Sequence, residues 1–206
     1  MNIKNTANFL INFTIKRLAE IFGILIFLNG FLLFIALFTY SPDDPNFIFP
    51  DNTEIKNLLG YHGSFVSDLF FQSVGLIAYM ISFTLILTGV NILRKKEFFL
   101  IIENVFFTIL YVLLGTLFLS YFYSNNFMLY INGSGGFIGL YLNETFLKSI
   151  IQTNEDIIYY TLFFIVLFLF LISINFNSAR FINLVRKIYN SFLKNEEKNY
   201  TNKNEI

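Results

Sequence analysis

Long apolar runs alternate along this chain with short charged segments. A bilayer core about 30 Å thick requires about 20 apolar residues, because backbone polar groups in hydrocarbon must pair within their own helix. Residues 21–40 meet this requirement. Their 14 Ile, Leu and Phe residues contribute about −4 to −8 kcal/mol to insertion, and Asn29 offsets only part of that. The pattern predicts a first membrane-spanning helix.

Three further spans follow from the same pattern. Uncharged runs predict the second span at 69–93 and the fourth at 157–177. The uncharged stretch between Glu103 and Glu144 is too long for one helix, and polar and glycine-rich segments break it. The third span is therefore predicted at about 104–123. The predicted fold class is all-α, an integral membrane four-helix transmembrane bundle.

A short apolar segment, 137–151, remains in the second outer loop. Asn143, Glu144 and Lys148 interrupt it, which is typical of an interfacial or re-entrant helix rather than of a fifth crossing. A fifth crossing would also place the C-terminus outside. The segment is predicted as a short interfacial or re-entrant helix.

Basic residues cluster on one set of span flanks. Ten Lys and Arg residues lie near the span ends on that side, against only Lys56 and Lys148 on the other. By the positive-inside rule the ten lie in the cytoplasm, so both termini are predicted inside. The outer loops, around 41–68 and 124–156, are acidic. The basic residues that set this topology include Lys16, Arg17, Arg94, Lys95, Lys96, Arg180, Arg186 and Lys187.

Three segments follow from these flanks. Residues 1–20 are predicted as a cytoplasmic lead, because Lys16 and Arg17 interrupt the early apolar stretch and no small-residue cleavage site follows. Residues 21–179 form the four-span membrane domain. Residues 180–206 form a basic cytoplasmic segment and a polar linker or tail.

Apolar residues recur at helical spacing at the start of that last segment. This spacing fits a basic amphipathic helix on the cytoplasmic leaflet, and equally a simple stop-transfer flank. The apolar positions are Phe181, Leu184, Val185, Ile188 and Phe192.

Composition agrees with a membrane protein. Hydrophobic residues make up 55% of the 206, aromatic residues 20% and charged residues only 14%, and the mean hydropathy is +0.61. A soluble domain of this length would need far more charge to cover its surface. The chain has no cysteine, which excludes disulfides, thiolate metal sites and a cysteine nucleophile.

Small residues recur on the predicted second span. Gly75, Ala78, Ser82 and Gly89 fall at offsets of 0, 3, 7 and 14, which places them on one helical face. Such faces allow helices to approach closely in lipid. Two interpretations stay open, an internal contact of the bundle and an interface of an oligomer.

No pattern of catalytic, cofactor-binding or metal-binding residues is present. The single histidine, His62, has no second His or Cys for a zinc site and no nucleophile-elbow serine, and there is no Walker-type loop. We predict no catalytic residues, no cofactor and no enzyme activity. The alternative function is a small channel or transporter subunit, with only Asn29, Gln72 and Thr84 as modest polar candidates. A membrane-embedded enzyme ranks third, and the absence of ionisable residues inside the spans argues against ion-coupled transport.

Two groups of motif residues lie in the outer loops. In the first loop, a Tyr-Ser-Pro-x-Asp-Pro turn follows the first span. A Gly-x-x-Gly and an Asp-Leu come next and lead into a helix with the pattern Gly-x-x-Ala-Tyr. In the second loop, a Gly-Gly-x-x-Gly segment precedes the last span. Their order and spacing resemble the four-helix membrane domain at the N-terminus of FtsK-type DNA translocases, over roughly residues 25–175. The motif residues are Tyr40, Ser41, Pro42, Asp44, Pro45, Gly60, Gly63, Asp68, Gly135, Gly136 and Gly139.

The first loop has a simple physical interpretation. Pro42 and Pro45 end the first helix and favour an extended turn. The loop glycines then permit a bend before Ser64 or Ser67 caps the next helix.

The resemblance implies function by association. Proteins of this family anchor at the bacterial division septum, support assembly of the division machinery, and carry a hexameric ATP-driven motor that pumps chromosomal DNA. It implies an inner-membrane, septum-enriched anchor. Its partners would be the lipid bilayer, other copies of itself and septal membrane proteins, with DNA reached only through a motor domain that this chain lacks. Three alternatives stay open: a truncated translocase, part of a split one, or a stand-alone anchor.

Overall fold

The computed structural model describes residues 3–45, 54–124 and 132–177, and six residues between 182 and 190, with side chains from Asn8 onward. All secondary structure in this part of the chain is helical, which confirms the all-α class. The helices are α1 (Ile3–Phe38), α2 (Gly60–Val74), α3 (Ile77–Lys95), α4 (Phe99–Phe122), α5 (Gly136–Asn143), α6 (Phe146–Thr153) and α7 (Glu155–Ser173).

Four helices are long and apolar enough to cross a membrane. They are Asn8–Phe38 within α1, and the whole of α3, α4 and α7. The four-span prediction is therefore confirmed at the level of fold class. The three shorter helices, α2, α5 and α6, account for most of the described loop residues.

The long helices α1 and α3 run antiparallel. At one end, which we name the Tyr40 end, Tyr79 near the start of α3 donates its hydroxyl to the Leu37 carbonyl near the end of α1 (3.1 Å). At the other, which we name the Lys96 end, the Lys96 ammonium that follows α3 reaches Glu20 of α1 (2.5 Å). The two helices therefore lie side by side in opposite directions.

The predicted second span, 69–93, is not one helix. α2 ends at Val74 and α3 begins at Ile77, because Gly75 has a φ of +60°, a left-handed conformation that interrupts a helix. The Leu76 amide donates instead to the carbonyl of Ser134, in the loop before α5 (3.0 Å). Apolar character continues through this break, whereas the helix does not.

Other helix ends also differ from the predicted spans. α1 begins at Ile3, within the predicted lead 1–20, because a charged residue ends an apolar run without ending a helix. The predicted single helix at 137–151 is two helices, α5 and α6. The Thr145 hydroxyl accepts a hydrogen bond from the Leu147 amide (3.3 Å) and so starts α6. Asn154 caps α7 in the same way.

α3 lies at the centre of the packing. It packs extensively on α1, contacts α4 on its other side and touches α7 through few residues, while α4 carries most of the contact with α7. α5 packs against both α2 and α4. The buried core therefore forms where α1, α2, α3 and α4 meet, and it includes Leu37, Phe71, Ala78 and Tyr111.

Residues from Phe176 onward form a separate compact unit. Its described residues are all exposed. Residues 182–183, 186–187 and 189–190 are helical, whereas Phe176 and Asn177 are not. The remaining residues of the predicted amphipathic helix lie outside the described part of the chain, so that helix stays a prediction. Those residues are Arg180, Phe181, Leu184, Val185, Ile188 and Phe192.

Candidate functional site

The motif residues that follow α1 form a hydrogen-bonded cluster at the Tyr40 end, which we name the Asp44 clasp (Tyr40, Asp44, Asn57, Ser64 and Asp68). Asp44 is only 2% exposed. Its two carboxylate oxygens accept the backbone N–H groups of Lys56 (2.8 Å) and Asn57 (2.9 Å). Hydrogen bonds to a charged acceptor are stronger than neutral ones. Asp44 thus ties the turn after α1 to the segment before α2.

Asn57 extends the clasp to the end of α1. Its side-chain amide donates to the Ala36 carbonyl (2.8 Å), and its side-chain oxygen accepts the Leu59 amide (3.1 Å). Ala36 is among the last four residues of α1, whose carbonyls have no partner within the helix. Asn57 therefore caps α1 from a distant part of the sequence.

Two motif glycines allow this approach. Gly60 has a φ of +64°, and its amide donates to the Asn57 carbonyl (2.9 Å). A Cβ at Gly63 would collide with the side-chain oxygen of Asn57. A larger residue at Gly63 would displace the Asn57 side chain that caps α1. At Gly60 an added Cβ would meet no other atom, and the cost of a larger residue there would be strain in the left-handed backbone.

The serines of α2 do not cap it, contrary to the prediction. α2 begins at Gly60, so Ser64 and Ser67 lie within the helix, where both are buried. The Ser64 hydroxyl instead donates to the Pro45 carbonyl (2.8 Å). The Tyr40 hydroxyl donates to the buried Asp68 carboxylate (3.1 Å). These bonds attach the turn after α1 to the body of α2.

An exposed ion pair lies beside the clasp. The Lys56 ammonium bonds to the Asp43 carboxylate (2.8 Å), and this hydrogen bond raises the pKa of Lys56 above its ordinary value. Both side chains are largely solvated, so the pair contributes little to stability. Lys56 therefore stabilises the Asp44 clasp mainly through its backbone amide and little through its side chain.

The second glycine motif docks α5 against backbone. A Cβ at Gly135 or Gly139 would collide with the Thr116 carbonyl of α4. Gly136 has a φ of +65°, and a Cβ there would lie 2.6 Å from the Gly75 amide at the break between α2 and α3. The motif therefore joins the second loop to both α4 and the α2–α3 break.

Most of the predicted small-residue face lies on α3. Ala78, Ser82 and Gly89 all lie buried in α3, and a Cβ at Gly89 would lie 2.6 Å from the Phe27 amide of α1. In this structure Gly89 therefore makes an internal contact. Gly75, the first residue of the predicted face, lies at the break before α3 and not on that helix.

Sequence reasoning missed a polar network on the opposite side of α3. The Thr84 hydroxyl lies 2.9 Å from the Tyr111 hydroxyl of α4 and 3.4 Å from the Ser173 hydroxyl of α7. Nearer the Lys96 end, the Asn104 amide donates to the Thr88 hydroxyl (2.8 Å). The four-residue spacing of the two threonines was the available signal.

The three polar candidates for a channel lie in different places. Asn29 lines a cleft of about 360 Å³ together with His62, between α1 and α2. Thr84 is buried in the network with α4 and α7, and the Gln72 carbonyl accepts a hydrogen bond from Asn132 (3.1 Å). Among the described side chains no group of three or more His, Cys, Asp or Glu could hold a metal ion.

Basic residues of α1 and of the α3–α4 turn lie at the Lys96 end. Arg17 and Lys96 both pair with Glu20, at 2.6 and 2.5 Å. Arg94 and Lys95 occupy the last turn of α3. The structure thus brings one predicted topology-setting cluster from α1 together with another from the α3–α4 turn, at the end opposite the Asp44 clasp.

Comparison with known families agrees with this arrangement. Residues 15–183 match the 4TM region of DNA translocase FtsK/SpoIIIE, a range that contains all four candidate spans except the start of α1. No curated protein and no solved structure matches the chain. With four candidate membrane spans and a family match over most of its length, the chain is a multi-pass membrane protein that belongs to the FtsK/SpoIIIE 4TM family.

Proposed function

We propose that this protein is the membrane anchor domain of an FtsK-type DNA translocase, located in the bacterial inner membrane and enriched at the division septum. The observation that carries the proposal is the family match over residues 15–183. In this proposal the chain has no catalytic role. It associates with other copies of itself and with septal membrane proteins, and DNA is handled only by a motor domain outside the matched region.

The Asp44 clasp supports an anchoring role. Residues that must present one fixed surface to partners need side chains locked by hydrogen bonds and packing. Here, a buried carboxylate, an amide and a tyrosine hydroxyl fix the turn after α1 against α2. We infer that this rigid loop surface, on the periplasmic side in the proposed topology, is what septal proteins contact.

The proposed topology places both termini in the cytoplasm. Arg17, Arg94, Lys95 and Lys96 lie at one end of the membrane unit, and the positive-inside rule assigns such an end to the cytoplasm. Because the chain has no cysteine, a single introduced thiol can report sidedness.

The topology test uses a membrane-impermeant maleimide on intact cells. We expect Glu54→Cys, in the loop before α2, to be labelled, and Lys95→Cys, in the α3–α4 turn, to be labelled only after the membrane is permeabilised. Labelling of Lys95→Cys in intact cells would show that the α3–α4 turn faces the periplasm. The proposed topology would then be wrong, and so would the placement of a motor in the cytoplasm.

The septal role is tested with a fluorescent fusion at native expression in dividing cells. We expect a band at mid-cell. Uniform membrane fluorescence in cells that are visibly constricting would contradict the proposal. The Asp44→Ala variant should lose the band if the clasp presents the partner surface. Asp43→Ala, an exposed neighbour, is the matched control and should keep it.

A further inference from the structure

The two residues that follow α7 are held by polar side chains of two other helices. The Ile174 carbonyl accepts a hydrogen bond from the side-chain amide of Asn91 in α3 (2.9 Å). Asn175 donates its own side-chain amide to the side-chain oxygen of Asn104 in α4 (2.6 Å). Asn104 in turn donates to the Thr88 hydroxyl of α3 (2.8 Å). We name this group the Asn104 clamp (Thr88, Asn91, Asn104 and Asn175).

The clamp is buried and fixes the backbone where α7 ends. Asn104 and Thr88 are 1% and 5% exposed, and Ile174 is 8% exposed. Asn175 has a φ of +52°, a left-handed conformation that Asn adopts more readily than most residues, and its backbone amide donates to the Ile172 carbonyl (2.8 Å). Polar groups left unpaired at such a buried site are costly. The clamp therefore favours one path for the chain as it leaves α7.

The body of α7, by contrast, makes few protein contacts. In its apolar stretch only 11% of the residues are buried, against 39% in α3 and in α4. Hydrogen bonds join α7 to α3 through Ser173 and Ile174, at its C-terminal end. Since lipid tails are as apolar as a helix surface, interhelical hydrogen bonds and close packing are what hold a helix to its neighbours. For α7, attachment to α3 is concentrated where the helix ends.

This attachment lies where the chain leaves the membrane unit. Asn175 is the last residue of that unit, and Asn91 lies one turn before Lys95, the last residue of α3, at the Lys96 end. A force on the segment that follows therefore enters the membrane unit through Asn175. Without the clamp the force would act on α7, which has little protein contact of its own. With the clamp it is shared with α3 and α4.

We propose that the Asn104 clamp is the mechanical attachment point of this protein. It transmits force on the segment after Asn175 to α3 and α4, so that α7 is not drawn out of the bilayer alone. The inference deepens the proposed function, because the anchor of a DNA-pumping motor must resist the pull that the motor exerts. It rests on that function only for the source of the force.

Force-clamp atomic-force microscopy on the full chain in a supported bilayer tests the clamp. The tip is bound to a tag on the C-terminus, so that α7 is the first span to be withdrawn. The main variant is Asn175→Gly, because glycine keeps the left-handed backbone and removes only the side-chain amide. We expect α7 to leave the bilayer about 3- to 10-fold faster at constant force, the factor that corresponds to one interhelical hydrogen bond. Asn91→Leu, which removes the bond to Ile174, should act in the same way.

Two controls separate a mechanical role from general stability. Thr161→Val changes an exposed polar residue of α7 whose hydroxyl bonds to the Ile157 carbonyl of the same helix (2.7 Å), and it should leave the withdrawal rate unchanged. In a second set of measurements the tip is bound to the N-terminus, and α1 is the first span withdrawn. Because α1 packs on α3 through Gly30 and Gly89, away from the clamp, its withdrawal should be unaffected in every variant.

The effect must be confined to pulling from the C-terminus. Equal acceleration from both termini would show a general loss of stability, and an unchanged rate from the C-terminus would show that the clamp transmits no force. Either result would overturn the proposal, as would an equal effect of Thr161→Val.

The measurement uses no division protein and does not depend on septal position. No effect of Asn175→Gly, in a protein that still forms a mid-cell band, would reject the clamp alone. A one-sided effect in a protein that spreads evenly over constricting cells would support the clamp and reject only the septal role.

Discussion

The two sides of α3 are held by different chemistry. Toward α1 the contact is glycine against backbone, with Gly89 facing the Phe27 amide and Gly30 facing the Ile86 amide. Toward α4 and α7 it is a series of hydrogen bonds that involve the hydroxyls of Thr84 and Thr88, the latter accepting from Asn104. Because lipid tails are as apolar as the helices, close packing and interhelical hydrogen bonds are the available sources of attraction. Each side of α3 relies mainly on one of them.

Because the two sides of α3 are held differently, we expect them to be sensitive to opposite kinds of substitution. A glycine contact is disrupted by added volume, because the neighbouring backbone cannot move out of the way. A hydrogen-bonded contact is disrupted by lost polar atoms, because a buried partner is left unsatisfied. The following substitutions test this comparison, and they are ordered by the size of the expected effect.

Gly89→Val should be the most damaging. A Cβ at Gly89 would lie 2.6 Å from the Phe27 amide and 2.7 Å from the Gly23 carbonyl, so α1 and α3 must separate. We expect a loss of about 2–3 kcal/mol of unfolding free energy, measured by titration with a denaturing detergent. Gly115→Ala is the control, because there the nearest atom, 2.7 Å away, is the flexible end of Ile77. Equal losses in both variants would contradict the comparison.

Asp44→Ala extends the comparison to the Tyr40 end, where hydrogen bonds again dominate. It leaves the Lys56 and Asn57 amides without their acceptor, and we expect a cost of about 1–3 kcal/mol and faster proteolysis between α1 and α2. Asp43→Ala, whose side chain is 72% exposed, should leave both measurements unchanged. If the two variants behaved alike, burial of Asp44 would not be the reason for its role.

Asn104→Leu replaces a polar side chain with an apolar one of similar volume, in the contact between α4 and α3. Asn104 donates to Thr88 (2.8 Å) and accepts from Asn175 (2.6 Å). We expect a loss of about 1 kcal/mol, since interhelical hydrogen bonds in membranes average about 0.6. A double-mutant cycle with Thr88→Val measures the coupling. Additive losses in the cycle would show that the two side chains do not interact.

Glu20→Gln should have the smallest effect. Glu20 pairs with Arg17 and Lys96, but these side chains are partly exposed, and exposed ion pairs contribute little. We expect an unfolding midpoint close to that of the parent protein, with any difference vanishing at high salt. A large, salt-independent loss would mean that the ion pairs hold α1 to α3 as strongly as the glycines do.

Features that depend on local composition were predictable from the sequence. Runs of apolar residues at 21–40 and 104–123 predicted α1 and α4, because burial in lipid supplies most of the free energy that places a segment of that length in the membrane. The motif residues Tyr40 and Asp68 were identified as a group, and the structure brings them into one cluster. Their spacing alone did not reveal the hydrogen bond that joins them.

Features that depend on contacts between distant segments were not predictable. At the break after Gly75, the Leu76 amide donates to the Ser134 carbonyl of another loop. The apolar run in the sequence continues through this position and gives no sign of the break. The cap on α1 comes from Asn57 (2.8 Å to the Ala36 carbonyl), whereas sequence reasoning placed a capping role on serines that lie inside α2. The break and the cap both depend on which backbone groups have no hydrogen-bond partner nearby in the sequence. Those groups find their partners only when the helices pack together.

The sequence by itself determined that this protein has four segments long and apolar enough to cross a membrane, because the free energy of burying each long apolar run is a sum over its own residues. Tertiary structure decided how the four helices are held. Gly89 acquires its role only when Phe27 lies against it, and Asp44 only when Asn57 reaches it. Packing and hydrogen bonding are pairwise, so they are defined by the partner as much as by the residue.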